Sequence, residues 1–143
     1  MKMKKAFKRY NRLLWKIEFL SLFRFKQNAI ELLSKHLNQY EYPIEIEASG
    51  LVRLGHLYAD LKDFEQAAAM YHKAYLLGQE LEFRYNSTEK KILSIFQKAD
   101  RHDLYAYWYE DFLNRSKYDK RFKKLQKNEI MLLKRKYSEN STF

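Results

Sequence analysis

Cysteine is absent from the 143 residues, which excludes disulfides, thiol nucleophiles and cysteine-held zinc or iron–sulfur centres. Proline occurs once and glycine three times. So few turn formers argue against sandwiches, barrels and other many-turned β folds, and against glycine-rich phosphate loops. No run of eighteen uncharged apolar residues occurs, so no bilayer-spanning helix is predicted. Lys16, Glu18 and Arg24 interrupt the apolar stretch behind the N-terminal lysines, and no small-residue cleavage site follows. That is not the pattern of a secretory leader, and the expected location is the cytoplasm.

Acidic side chains are also missing from one place in particular. The chain carries 28 basic and 18 acidic residues, a formal charge of +10. Residues 1–16 hold seven cations (Lys2, Lys4, Lys5, Lys8, Arg9, Arg12 and Lys16) and no acid. Residues 115–136 hold ten cations against Asp119 and Glu129, whereas residues 17–114 are mildly acidic. The basic character therefore belongs to the two ends. It reads either as a solvated helix surface, with cations such as Lys134–Lys136 at a helix C-terminus, or as a surface that attracts an acidic partner.

What is present in quantity is helical periodicity. Leu51, Leu54, Tyr58 and Leu61 recur at three- and four-residue spacing and share one face of a helix. Asp63 then offers a cap for a second helix, whose stripe is Phe64, Ala67, Ala68, Tyr71, Ala74 and Tyr75. Two helices joined by so short a turn pack antiparallel, and Ala67–Ala69 allow a close approach.

The segment Ala48–Leu81 resembles a tetratricopeptide repeat in Leu54-Gly55, Tyr58, Phe64, Ala67, Tyr71 and Ala74. It departs from that pattern at Leu51, where the family has Trp, at Gln79, where it has Pro, and at Lys62, where it has the turn glycine. Shifting this unit by 38 residues gives hydrophobic echoes on both sides. Leu20, Phe23, Ala29 and Leu33 answer it upstream, and Ile92, Phe96, Ala99, Tyr109 and Phe112 downstream.

The resemblance implies an all-α fold, a right-handed stack of about three antiparallel helical hairpins in one domain, residues 1–137. The expected helices are Tyr10–Phe25 with Gln27–Tyr40, Ala48–Leu61 with Asp63–Leu81, and Glu89–Lys98 with Arg101–Asn114. Glu41–Ile46 holds the only proline and is expected to connect the first two hairpins, and Asn86–Glu89 to cap the third. A final helix, about Tyr118–Tyr137, would shield the end of the stack, with Ser138–Phe143 a frayed tail.

Chemistry is thinly represented. The four histidines stand at no metal-ligand spacing, although His56 and His72 lie on facing helices of one hairpin. Asp100-Arg101-His102-Asp103 reads as a turn with a helix cap. No nucleophile elbow or P-loop occurs. The expectation is a non-enzyme without cofactor or metal.

If the stack forms, first helices line a groove of the kind that tetratricopeptide proteins use for peptides. By register it would contain Leu14, Glu18, Leu22, Val52, His56, Asp60, Lys90, Ser94 and Gln97. The carboxylate clamp of some family members is not reproduced, because Val52 and His56 occupy its positions in the central unit. The expected function is a protein-interaction module (adaptor, chaperone or immunity-type inhibitor) with an acidic protein partner. A homodimer through the first helix is a further expectation, since that helix is apolar nearly all round. The alternative is binding of nucleic acid or anionic membrane by the basic ends, with Lys120, Arg121, Lys123, Lys124 and Lys127 as the C-terminal surface.

Overall fold

The structure, a computed structural model, describes residues 2–22 and 25–127. Among the described residues helical periodicity becomes six complete α-helices: α1 (Lys2–Leu22), α2 (Lys26–Gln39), α3 (Ile44–Asp60), α4 (Phe64–Leu77), α5 (Ser87–Lys98) and α6 (His102–Asn114). No strand occurs among the described residues. The chain divides into two compact units, Met1–Leu81 and Glu82–Phe143.

In the first unit α1 packs on α2, α2 on α3, and α3 on α4, with α1 also touching α3. Tyr10, Leu13, Ile17, Ala29, Ile30, Leu33, Ile46, Leu51, Leu54, Leu57 and Ala74 form its core. The contact of α3 with α4 is the most extensive, and its chemistry is specific. Gly55 lies so close to the buried Tyr71 ring that an added Cβ would sit 2.4 Å from Cε1. The absent side chain is what lets the two helices approach here. Fully buried Ala67 and Ala68 line the same seam.

The hairpin turns repeat in their hydrogen bonds. Between α3 and α4, Lys62 donates to the Ala59 carbonyl and Asp63 to that of Tyr58, each at 2.9 Å, with Lys62 in the left-handed region at φ 61°. Between α5 and α6, Asp100 donates to Gln97 at 3.0 Å and Arg101 to Phe96 at 2.8 Å, with Asp100 at φ 57°. Between α1 and α2, Phe25 donates to Leu20 at 2.9 Å. Phe25, Asp63 and Arg101, and likewise Leu20, Tyr58 and Phe96, are 38 residues apart. At the α3–α4 and α5–α6 turns this pairing of a left-handed residue with bonds back to the last helical turn is the Schellman stop, which ordinarily uses glycine.

In the second unit Asn86 and Glu89 form a capping box at the start of α5, Asn86 accepting from Thr88 at 2.7 Å and Glu89 accepting from the Asn86 N–H at 2.9 Å. Trp108, Phe96, Phe112 and Phe122 are fully buried. Tyr105 and Tyr109 stack on one another at 5.9 Å, and Tyr107 is exposed.

Several expectations need correction. The first helix begins at Lys2, not Tyr10, because Met3, Ala6 and Phe7 continue its periodicity. Glu45 and Ile46 belong to the first turn of α3, since Pro43 sits at the N-cap with φ −53° and its missing N–H costs nothing there. Arg101 starts α6 without a side-chain cap bond. No continuous helix starts at Tyr118: 3₁₀ turns span Arg115–Lys117 and Lys120–Lys123, and Asp119 between them is extended. One further helical turn covers residues 124–127. The remainder of the expected final helix, the tail and Phe23 lie outside the described residues.

Candidate functional site

The long helix α1 has two unlike sides. Tyr10, Leu13 and Ile17 point into the core. Opposite them, at spacings of four and three, Trp15, Phe19 and Leu22 form a stripe that is 80%, 60% and 79% exposed. Lys8 and Arg12 continue the stripe toward the N-terminus, and both are exposed. One helix face thus presents bulky apolar side chains over its second half and cations, with Asn11 among them, over its first. Exposed apolar groups arranged contiguously in this way mark an interaction surface, whereas isolated ones do not.

Beside this stripe α1 and α2 border two recesses open to solvent. One, about 700 Å³, is lined by Lys5, Lys8, Arg9, Arg12, Lys16 and His36, with Leu13 and Trp15. The other, about 340 Å³, is lined by Trp15, Lys16, Phe19, Leu20 and Leu32. Arg9 is held with its guanidinium 4.1 Å from the centre of the Tyr40 ring. Burial, and then the charges of Lys16, Lys35 and Arg9, push the His36 imidazole below its ordinary pKa.

The residues expected to line a groove are placed as follows. Leu14 and Val52 are half-buried against the core. Glu18 pairs with Arg53 at 2.7 Å, tying α1 to α3, and Asp60 pairs with Lys26 at 3.3 Å, tying α3 to α2. His56 Nδ1 lies 2.6 Å from the Tyr71 hydroxyl. Burial, followed by the Asp60 carboxylate, raises the Tyr71 pKa. Leu22 is exposed and belongs to the outer stripe of α1. Lys90, Ser94 and Gln97 lie on α5 in the second unit, the first exposed and the other two half-buried.

The expected C-terminal basic surface is also exposed at Lys120, Arg121, Lys123, Lys124 and Lys127. Two of its members are engaged in the fold. Arg121 grips Asp119 through Nε at 3.0 Å and Nη2 at 2.9 Å. Lys124 approaches the Tyr85 ring at 5.9 Å.

Sequence reasoning missed the recess between α1 and α2. The run of cations without an acid was visible, but its meeting with His36 needed the fold. Among the described residues no three histidine, aspartate or glutamate side chains converge to hold a metal, and no helix is long and apolar enough to cross a membrane. Comparison with protein-family models, with curated proteins and with solved structures finds no match to this chain.

Proposed function

We propose that the chain is a non-enzymatic protein-interaction module, a small tetratricopeptide-like adaptor, chaperone or immunity-type inhibitor, that holds an acidic protein on the outer face of α1. The observation that carries this reading is the exposed stripe of Trp15, Phe19 and Leu22 beside a row of cations in a segment, residues 1–17, that holds no acid. Aromatic anchors supply contact area at low entropic cost, and the cations speed encounter with an acidic surface. The 38-residue recurrence of the turn bonds supports the repeat reading. A second copy of the chain is a poorer occupant, because it would bring like charges to the same contact.

Capture from the native host at about 0.5 M salt, where exposed charge attraction is largely screened, tests the proposal. The wild type retains one discrete acidic protein, and Phe19→Ser/Leu22→Ser loses it. Equal retention by both sinks the reading. A basic helix face with Trp and Phe also suits an anionic bilayer surface; sedimentation with acidic vesicles that salt abolishes, without a retained protein, would favour that second reading.

A further inference from the structure

The α1 side of the recess gathers more positive charge than the fold uses. Lys5, Lys8, Arg9, Arg12 and Lys16 come from four turns of α1, and His36 meets them from α2. Among the described residues no carboxylate lines the recess, and residues 1–17 contain none that could relieve the repulsion. Arg9 is set in place by the Tyr40 ring. His36 borders the recess from α2, and its Nδ1 is buried with no hydrogen-bond partner among the described residues.

We propose that this recess binds a phosphate-rich anion. A single carboxylate could satisfy one or two of these cations, whereas clustered phosphates offer several charges and many acceptor oxygens to forked and pointed donors together. About 700 Å³ suits a compact molecule of that class. The same chemistry is shared by a free polyphosphorylated metabolite and by a phosphorylated lipid headgroup. Trp15, Lys8 and Arg12 belong to both surfaces, but Phe19 and Leu22 do not line this recess, so replacing those two tells the proposals apart.

The test is calorimetric titration of the full chain with inorganic tripolyphosphate at about 50 mM salt. Saturable one-to-one binding is expected, together with a shift of the His36 ring signals in NMR spectra. Lys8→Gln/Arg12→Gln/Lys16→Gln removes exposed side chains and should weaken binding by about tenfold or more. Phe19→Ser/Leu22→Ser, and Lys120→Gln/Lys123→Gln/Lys127→Gln with the same loss of charge, should leave it within about twofold. Phosphatidylcholine vesicles carrying about a tenth phosphatidylinositol phosphate identify the source. Binding that tripolyphosphate competes away assigns a headgroup, and binding of tripolyphosphate alone assigns a soluble ligand. No saturable binding, or equal weakening by the two triple variants, overturns the site, because attraction would then be to a +10 chain at large.

Discussion

The two basic regions look alike in composition and differ in what their charges do. Along α1 the cations stand on the outside, next to Trp15 and Phe19, and none is opposed by an acid from the same helix until Glu18. Around Arg115–Lys124 the arginines are woven into the fold. Buried Arg115 donates Nε to Asp111 at 2.9 Å and Nη1 to the Tyr118 hydroxyl at 3.0 Å, and lies 4.0 Å from the centre of the Phe83 ring. Tyr118 passes the chain on to the Phe83 carbonyl at 2.9 Å. Asp119, only 6% exposed, accepts from the Tyr85 N–H at 3.0 Å and from Arg121. Net charge therefore does not locate an interaction surface. What locates it is charge that the fold leaves unanswered.

The comparison can be broken most sharply at Arg115. Removing a buried partner strands another charge, so Arg115→Ala should cost about 3 kcal/mol in urea unfolding, and a cost under about 0.5 kcal/mol would show that this region is as dispensable as a surface. Next comes the seam of the first unit. Gly55→Ala forces a methyl against the buried Tyr71 ring and should cost about 2 kcal/mol, while its far-UV spectrum stays helical.

Asp119 sharpens the contrast through pH. Hydrogen bonds from Arg121 and from the Tyr85 N–H hold its carboxyl well below the ordinary carboxylate range. The folded pKa lies below the unfolded value of about 3.9, so this stabilisation is complete above that value and is lost as pH falls toward the folded pKa. Thermal melts from pH 6 down to pH 2 should show a fall in the wild type that Asp119→Asn flattens, its melting point being already lower at pH 6. The smallest effect belongs to α1: Phe19→Ser/Leu22→Ser should move unfolding stability by less than about 0.5 kcal/mol.

The same division explains what could be read from the residues alone. Local rules carried the helices: the apolar stripe of α4 behind the Asp63 cap, which accepts from Gln66 at 3.2 Å, and the Asn86–Glu89 box. They also carried the hydrophobic echo at 38 residues, even where Lys62 and Asp100 stand in place of glycine. The expected helix from Tyr118 was lost to a contact that no local pattern encodes, since the Tyr85 N–H that Asp119 accepts is 34 residues away. Pro43 misled for the opposite reason, because the residue that usually breaks a helix here begins one. On α1 the apolar residues run nearly all round the helix, so spacing could not show that Leu13 enters the core while Trp15 stays outside. The recess depends on His36 arriving from another helix, which spacing cannot show.

The two tryptophans allow the central claim to be read directly. Trp108→Phe leaves Trp15, which is 80% exposed, and Trp15→Phe leaves Trp108, which is fully buried. The account predicts that Trp15 emits as a water-exposed indole and is quenched strongly by iodide, the anion drawn in by Lys8, Arg12 and Lys16, while Trp108 emits to the blue and is shielded. Blue, shielded emission from Trp15 in the isolated chain would mean that the outer face of α1 is already covered, and would contradict the account.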